Sequence, residues 1–308
     1  MASTVADVAA GREDGAATRP GVWVTDLLLF LMAVIWGANF SIVKYGAQAL
    51  SPLAFNGLRV GVAAVALFAT SLAVREPWPA RRDALRIAAL GTIGNGLYQI
   101  LFIEGLARTR AGSAALVLAA SPAFIALLGW LRGVEQVRPR ALLGIAVSFA
   151  GVAVVLSGTS GGAGTSGASL VGNLLVLAGC FCWAVFSVGL QPYTRRLHPV
   201  HIAALTMAGG AVPVLLTSAR AIAATPASAL TAGALTAVVY SSIASLVIAY
   251  LIWNRGVRVL GPTRTAMYSN LQPVIAVLVA WRFLGEVPTP WQVAGAAGVV
   301  SGLLLTRS

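Results

Sequence analysis

The chain has 308 residues, of which 58% are hydrophobic and only 10% charged, with a mean hydropathy of +0.86. A soluble domain carries about 25% charged residues, so this composition excludes a water-soluble globular protein. The formal net charge of +12 does not point to nucleic acid, because the basic residues stand singly or in pairs between apolar runs rather than along one face.

Residues 1–25 are rich in Ala and Gly, hold Asp7, Arg12, Glu13, Asp14 and Arg19, and read as a disordered tail. The apolar run that follows is too long for the core of a signal peptide and lacks a small-residue cleavage pattern, so it reads as the first span. A span needs about 20 apolar residues. That rule predicts an all-α polytopic membrane protein with ten transmembrane helices, at about 26–47, 51–74, 84–106, 111–132, 139–157, 169–190, 199–222, 232–254, 262–284 and 288–306. Most connections are short and hold Arg, Pro or Gly. The exception is 158–168, GTSGGAGTSGA, an uncharged flexible linker between a first unit at 26–157 and a second at 169–308.

The two units share a pattern. Pro122, Glu135, Pro139, Gly144 and Gly151 recur as Pro273, Glu286, Pro290, Gly295 and Gly302, each 151 residues later. Trp36, Leu50, Pro52 and Leu58 recur as Trp183, Leu197, Pro199 and Leu205, each 147 later. The difference places four extra residues between the second and third spans of the second unit. One five-helix unit is therefore used twice. Five is odd, so tandem copies enter the membrane in opposite senses and form an inverted repeat. With the N-terminus inside, fifteen of the 21 basic residues fall on the inner side, while Lys44, Arg108, Arg110, Arg220 and Arg282 fall outside and Arg59 lies within a span. That bias puts both termini in the cytoplasm. Glu135 then lies inside and Glu286 outside, where each caps or pins a turn.

The segment WGANFSIVKYGAQALSPLAFNGLR at 36–59, the two Pro-to-Glu-to-Gly blocks and the ten-span layout resemble the EamA-type members of the drug/metabolite transporter superfamily. The resemblance covers about 26–306. It implies a permease of the bacterial inner (plasma) membrane, often an exporter of amino acids or related metabolites, with a central cavity between the halves. It does not identify the substrate, since these motifs mark the fold. The excess of arginine over lysine, 20 to one, and the many alanines fit a GC-rich bacterial genome.

Polar side chains at mid-membrane depth face protein or a water-filled cavity. Arg59 stands seven residues beyond Pro52, about 10 Å into the second span at 1.5 Å per residue. It holds a substrate carboxylate, forms a structural ion pair with Glu104, or snorkels back to the outer interface. Asn39 shares a face with Trp36, and Asn95 shares one with Gln99. Each pair lines a cavity or hydrogen-bonds between helices. Tyr240, Ser241, Ser245 and Asn270 are weaker versions of the same case. Trp36 and Trp183 stand near mid-span at equivalent positions, while the other tryptophans lie near span ends. Either the cavity or helix packing explains them.

Pro122 and Pro273 are expected to kink the fourth and ninth spans. Gly144, Gly151, Gly295 and Gly302 suit close helix contact, as a packing or homodimer surface. Cys180 and Cys182 share one apolar run and read as packing residues rather than a disulfide or metal site.

No aspartate or glutamate lies well inside a span, which argues against an exporter of cationic drugs. No Gly-rich phosphate loop occurs, no nucleophile with a base, and no cluster of metal ligands, so neither an enzyme nor a cofactor is expected. The leading expectation is a secondary transporter of a small zwitterionic or anionic metabolite, with Arg59, Asn39, Asn95, Gln99, Trp36, Trp183, Tyr240 and Asn270 around the substrate. The alternatives are a multidrug or cation efflux permease, and a membrane sensor that transports nothing.

Overall fold

A computed structural model of the chain describes residues 22–133, 139–157, 167–194, 196–260, 265, 268–269 and 271–307. Glu135, Asn270 and most of the expected linker and N-terminal tail lie outside them. The described residues are helical with short connections and contain no strand. In chain order the helices are α1 (Val22–Leu50), α2 (Pro52–Leu72), α3 (Arg81–Arg108), α4 (Ala111–Leu131), α5 (Pro139–Ser157), α6 (Gly167–Thr194) and α7 (Pro199–Ala223). Then come α8, which runs from Ala232–Val239 through Tyr240–Ile248 to Ala249–Leu260, α9 (Leu271–Leu284) and α10 (Pro290–Arg307). Among the described residues seven of these, α1 to α4 and α6 to α8, are long and apolar enough to cross a membrane, and Leu142–Ser157 and Leu271–Leu284 are shorter apolar helices. The chain is a polytopic, all-helical membrane protein. Phe30, Val65, Leu216 and Phe283 stand exposed on the outer surface, which would be costly in water and suits lipid.

Local sequence explains the element ends. α1 already includes Val22, ahead of the expected 26, as the apolar stretch Val22–Val24 extends the run. One residue, Ser51, separates α1 from α2. It adopts φ 96° and its Oγ accepts from the Ala54 N–H at 3.4 Å, while Pro52 occupies the first helical turn. Thr231 caps α8 in the same manner. Thr289 and Gln292 form a reciprocal capping box at α10, with bonds of 2.8 and 3.2 Å.

Two helices contain a wider π turn: α3 at Thr92–Leu97 and α8 at Tyr240–Ile248. Each occupies the middle of its helix, a placement that such turns often take at functional sites. α4 is interrupted at Ala119-Ala120, and Pro122 falls in the first turn of its second segment, Ser121–Leu131. Pro273 is the third residue of α9. Pro192 and Pro213, which the sequence reading passed over, lie inside α6 and α7.

Glycines set the closest helix contacts. A Cβ at Gly151 of α5 would lie 2.8 Å from the Gly295 carbonyl oxygen, and one at Gly302 of α10 would lie 2.4 Å from that of Gly144. The glycines expected on a packing or dimer surface therefore join α5 to α10 within one chain. α3 and α7 approach equally closely: a Cβ at Gly209 would meet the Ala88 carbonyl oxygen at 2.0 Å, and one at Gly91 that of Thr206 at 2.1 Å. This contact fixes α3, and with it Asn95, against the second half of the chain. The main core gathers Phe40, Phe55, Phe102, Ile103 and Val117 between α1, α2, α3 and α4.

Candidate functional site

The site begins at Arg59, which is 1% exposed and the largest fully buried side chain among the described residues. Its Nε donates to Asn56 Oδ1 at 3.0 Å and its Nη2 to Gln99 Oε1 at 2.6 Å. Asn56 in turn donates to the Gln99 backbone carbonyl at 3.2 Å, so the three residues form a closed set between α2 and α3. The guanidinium also lies over the Phe102 ring, 5.8 Å from its centroid. The ion pair with Glu104 that the sequence allowed does not form. Glu104 pairs instead with Arg108, one turn along its own helix, where both side chains reach the surface. No ion pair of Arg59 occurs among the described residues. Burying a guanidinium costs several kcal/mol, and two bonds of about 1.5–3 kcal/mol each offset that cost without neutralising the charge.

Aromatic rings connect this cation to the middle of the molecule. Phe102 stacks on Tyr98 with centroids 5.8 Å apart, and Tyr98 touches Trp183 at 5.5 Å. Trp183 and Trp36 both stand edge-to-face with Tyr250, at 6.1 and 5.8 Å. The two equivalent tryptophans thus meet on one tyrosine. The four rings of Trp36, Tyr98, Trp183 and Tyr250 come from α1, α3, α6 and α8, and all four are half-buried. Two of the four polar handles are used: the Trp36 N–H donates to the Ser245 carbonyl at 3.0 Å, and the Tyr250 hydroxyl to Asn95 Oδ1 at 3.1 Å. Ring face is the larger part of what a ligand would meet. Asn95 itself is fully buried, and its Nδ2 has no hydrogen-bond partner. A buried amide donor left in that state costs about 1–3 kcal/mol, which a ligand acceptor would remove.

The sequence-derived residues divide accordingly. Arg59, Gln99, Asn95, Trp36 and Trp183 come together around the rings. Asn95 and Gln99, expected on one face, address different helices, α8 and α2 respectively. The π turn between them is the reason, because its i to i+5 bonds widen the turn and residues four apart no longer stack. Asn39 accepts from the Ser241 hydroxyl at 2.8 Å, and the Tyr240 hydroxyl donates to the Ile35 carbonyl at 3.1 Å. These two hold α1 against α8 one turn from Trp36. Asn270 lies outside the described residues. Sequence reasoning missed Asn56, Tyr98 and Tyr250. Asn56 precedes Arg59 by three residues and so shares its helical face, a signal that was available. Nothing in the sequence singled out Tyr98 or Tyr250. Cys180 and Cys182 are both buried, in keeping with packing.

Comparison with known proteins agrees with this architecture. The model of the EamA-like transporter family matches residues 23–157 and again 170–308. An uncharacterized transporter of Bacillus subtilis, YyaM, is 27% identical over 282 residues, covering 90% of this chain and 92% of its own. A probable terminal-alkyne amino-acid exporter of Streptantibioticus cattleyicolor is 28% identical over 282 residues, covering 90% and 91%. A probable amino-acid metabolite efflux pump of Salmonella typhimurium is 28% identical over 289 residues, covering 90% and 93%. One solved crystal structure superposes with a TM-score of 0.64 at 22% identity, over 92% of this chain and 98% of that one, which bears on the fold alone. With a buried cation and a ring-lined centre in a multi-pass helical frame, and the family model matched along nearly its whole length, this chain belongs to the EamA-like transporter family and is a membrane transporter rather than an enzyme.

Proposed function

We propose that the protein is a secondary transporter that exports small metabolites, amino acids or related zwitterionic and anionic compounds, by alternating access. The observation that carries the reading is Arg59, a buried cation held by the neutral amides of Asn56 and Gln99 without a carboxylate beside it. A site of this kind gains most from an anionic ligand. Arg59 holds the substrate carboxylate. The faces of Trp36, Trp183, Tyr98 and Tyr250 take its ammonium or its apolar side chain, and Asn95 Nδ2 donates to an oxygen. An ammonium received by ring faces needs no protein carboxylate. The printed names of the relatives from Streptantibioticus cattleyicolor and Salmonella typhimurium support this cargo class.

The frame we propose is ten spans in two inverted five-helix repeats, with both termini in the cytoplasm and the chain in a bacterial inner membrane. Supporting it are the recurring residues at offsets of 147 and 151, the family model matched twice and a π turn in the third helix of each half. Pro122, in the first turn after the break in α4, and Pro273, in α9, serve as hinges in this scheme. Flux into and out of proteoliposomes loaded with mixed amino acids tests the assignment. Arg59→Ala is expected to lower transport by about 100-fold, the loss of one strong charged contact, and Asn39→Ala to reduce it less. If both variants transport normally, the site is misassigned.

A further inference from the structure

The polar groups at one end of the molecule converge on Lys44. Its Nζ donates to Glu286 Oε1 at 2.6 Å and to the Thr109 carbonyl at 2.7 Å. The two side chains of the ion pair are only 15% and 12% exposed. The other Glu286 oxygen accepts from the Gly112 N–H at 3.4 Å, in the first turn of α4. One carboxylate therefore ties α1, the α3–α4 turn and the α9–α10 turn together. The first two belong to the first half of the chain and the last to the second.

Neighbouring bonds make the same crossing. The Arg110 guanidinium donates to the Val287 carbonyl, Gln292 Nε2 donates to Ser113 Oγ at 2.9 Å, and Thr109 Oγ1 donates to Asn173 Oδ1 at 2.8 Å. Glu286 is aimed by its own turn. Gly285 takes φ 67°, and the Glu286 N–H reaches back to the Ala280 carbonyl at 3.2 Å, which closes α9 as a Schellman-type end and projects the next side chain beyond it. At the offset of 147 the counterpart of Lys44 is Gln191. A neutral amide there cannot form the same ion pair at the opposite end.

We propose that Lys44 and Glu286 are the latch of the outer gate, which holds the cargo-free protein closed to the outside. Alternating access requires the two halves to part at one end at a time, and a bond that spans both halves must break before that end opens. The two charges of a pair this far out of water attract more strongly than exposed ones, and parting them before water reaches either is costly, which resists opening. At the other end Gln191 replaces the lysine, and the bond that joins the halves there has a neutral donor, the Tyr268 hydroxyl to Asp26 Oδ1 at 2.8 Å. The ion pair is the stronger of the two closures, so it weights the empty carrier toward the outer-closed arrangement, as export requires. The direction, and the assignment of this end as outer, rest on the topology and function proposed above.

The test reads access rather than flux. Ser113, 2% exposed and beside the latch, is replaced as Ser113→Cys in a background carrying Cys180→Ala and Cys182→Ala. A membrane-impermeant maleimide is applied to right-side-out and inside-out vesicles, and the melting temperature is measured on the same samples. With the latch intact, labelling from outside is slow. Glu286→Gln and Lys44→Met are each expected to accelerate it by about tenfold or more, the effect of losing one charged hydrogen bond. The exchange Lys44→Glu with Glu286→Lys is expected to restore slow labelling. Unchanged labelling in both single variants overturns the proposal. Equal acceleration from both sides of the membrane with a matching fall in melting temperature also overturns it, since that is general loosening. Acceleration confined to inside-out vesicles overturns the outer placement. None of these readouts needs cargo, so they stand apart from the fate of the Arg59 variants.

Discussion

Arg59 and Lys44 are both cations drawn out of water, and they are partnered in opposite ways. Lys44, near the end of α1, has a carboxylate at 2.6 Å and a backbone carbonyl at 2.7 Å. Arg59, in the middle of α2, has two neutral amides and a ring face. A cation that must hold two halves together benefits from a counter-ion of its own. One that must receive an anion and then release it is best left without one, because a protein carboxylate would compete for the same donors. This is the difference we propose between a closure and a binding site within one chain.

The largest expected effect concerns what holds the centre in place. Gly209→Ala puts a methyl group 2.0 Å from the Ala88 carbonyl oxygen, which neither backbone can avoid without moving. We expect a loss of about 1–3 kcal/mol or failure to fold, read as a lower melting temperature in detergent. Gly61→Ala meets only the tip of Leu215 at 3.4 Å and is expected to leave the melting temperature unchanged.

Next in size is a change that makes the centre resemble the Lys44 end. Gln99→Glu supplies Arg59 with the counter-ion it lacks. Flux is expected to fall by about 100-fold, as for Arg59→Ala, the loss of one strong charged contact, while the melting temperature holds or rises. Active transport by Gln99→Glu would remove the distinction between the two cations. Arg59→Lys is expected to recover little, because a lysine cannot serve Asn56 and Gln99 with one planar fork.

A smaller effect is expected at the rings. Trp36→Phe keeps an aromatic face and removes the N–H that donates to the Ser245 carbonyl. A rise in KM of about tenfold or less, with kcat nearly unchanged, is expected from one altered ring contact. The smallest effect tests the ion pair that does not form. Glu104→Gln breaks an exposed pair within α3 worth about 0.5 kcal/mol or less, and neither stability nor flux should change. A loss of transport comparable to Arg59→Ala would mean that Glu104 does serve Arg59.

Legibility in the sequence followed the range of the interaction. Helices of span length and their approximate ends were readable from apolar runs closed by Pro, Gly, Ser and Thr, as at Ser51-Pro52 and Gly285. Arg59 announced itself because a lone arginine in an apolar run has few explanations. Its partners did not: Glu104 was as near in sequence as Gln99, and only the packing of α2 on α3 decided between them. The glycine pairs of α5 and α10 were readable as a contact surface, while the fact that they meet each other within one chain was not. Tyr250 and Tyr98 were missed because an aromatic residue in a span looks the same whether it faces lipid, a neighbour or the centre. The π turn was invisible as well, since no local residue pattern demands it, and it moved Asn95 away from the face it was expected to share with Gln99.

By itself, then, the sequence determined the solvent and the scale. With 10% charge and long apolar runs the backbone must satisfy its own hydrogen bonds inside lipid, and helices of membrane length are the solution open to such a chain. It also carried a pattern that recurs at offsets of 147 and 151 and that the family model matches twice, because such a pattern survives in spacing. Which cation keeps a counter-ion, which amide lacks a partner and which rings share a tyrosine were decided by tertiary structure. Those outcomes depend on contacts such as Gly209 against Ala88, where helices distant in sequence approach within a backbone's width and set the register of every polar group they carry.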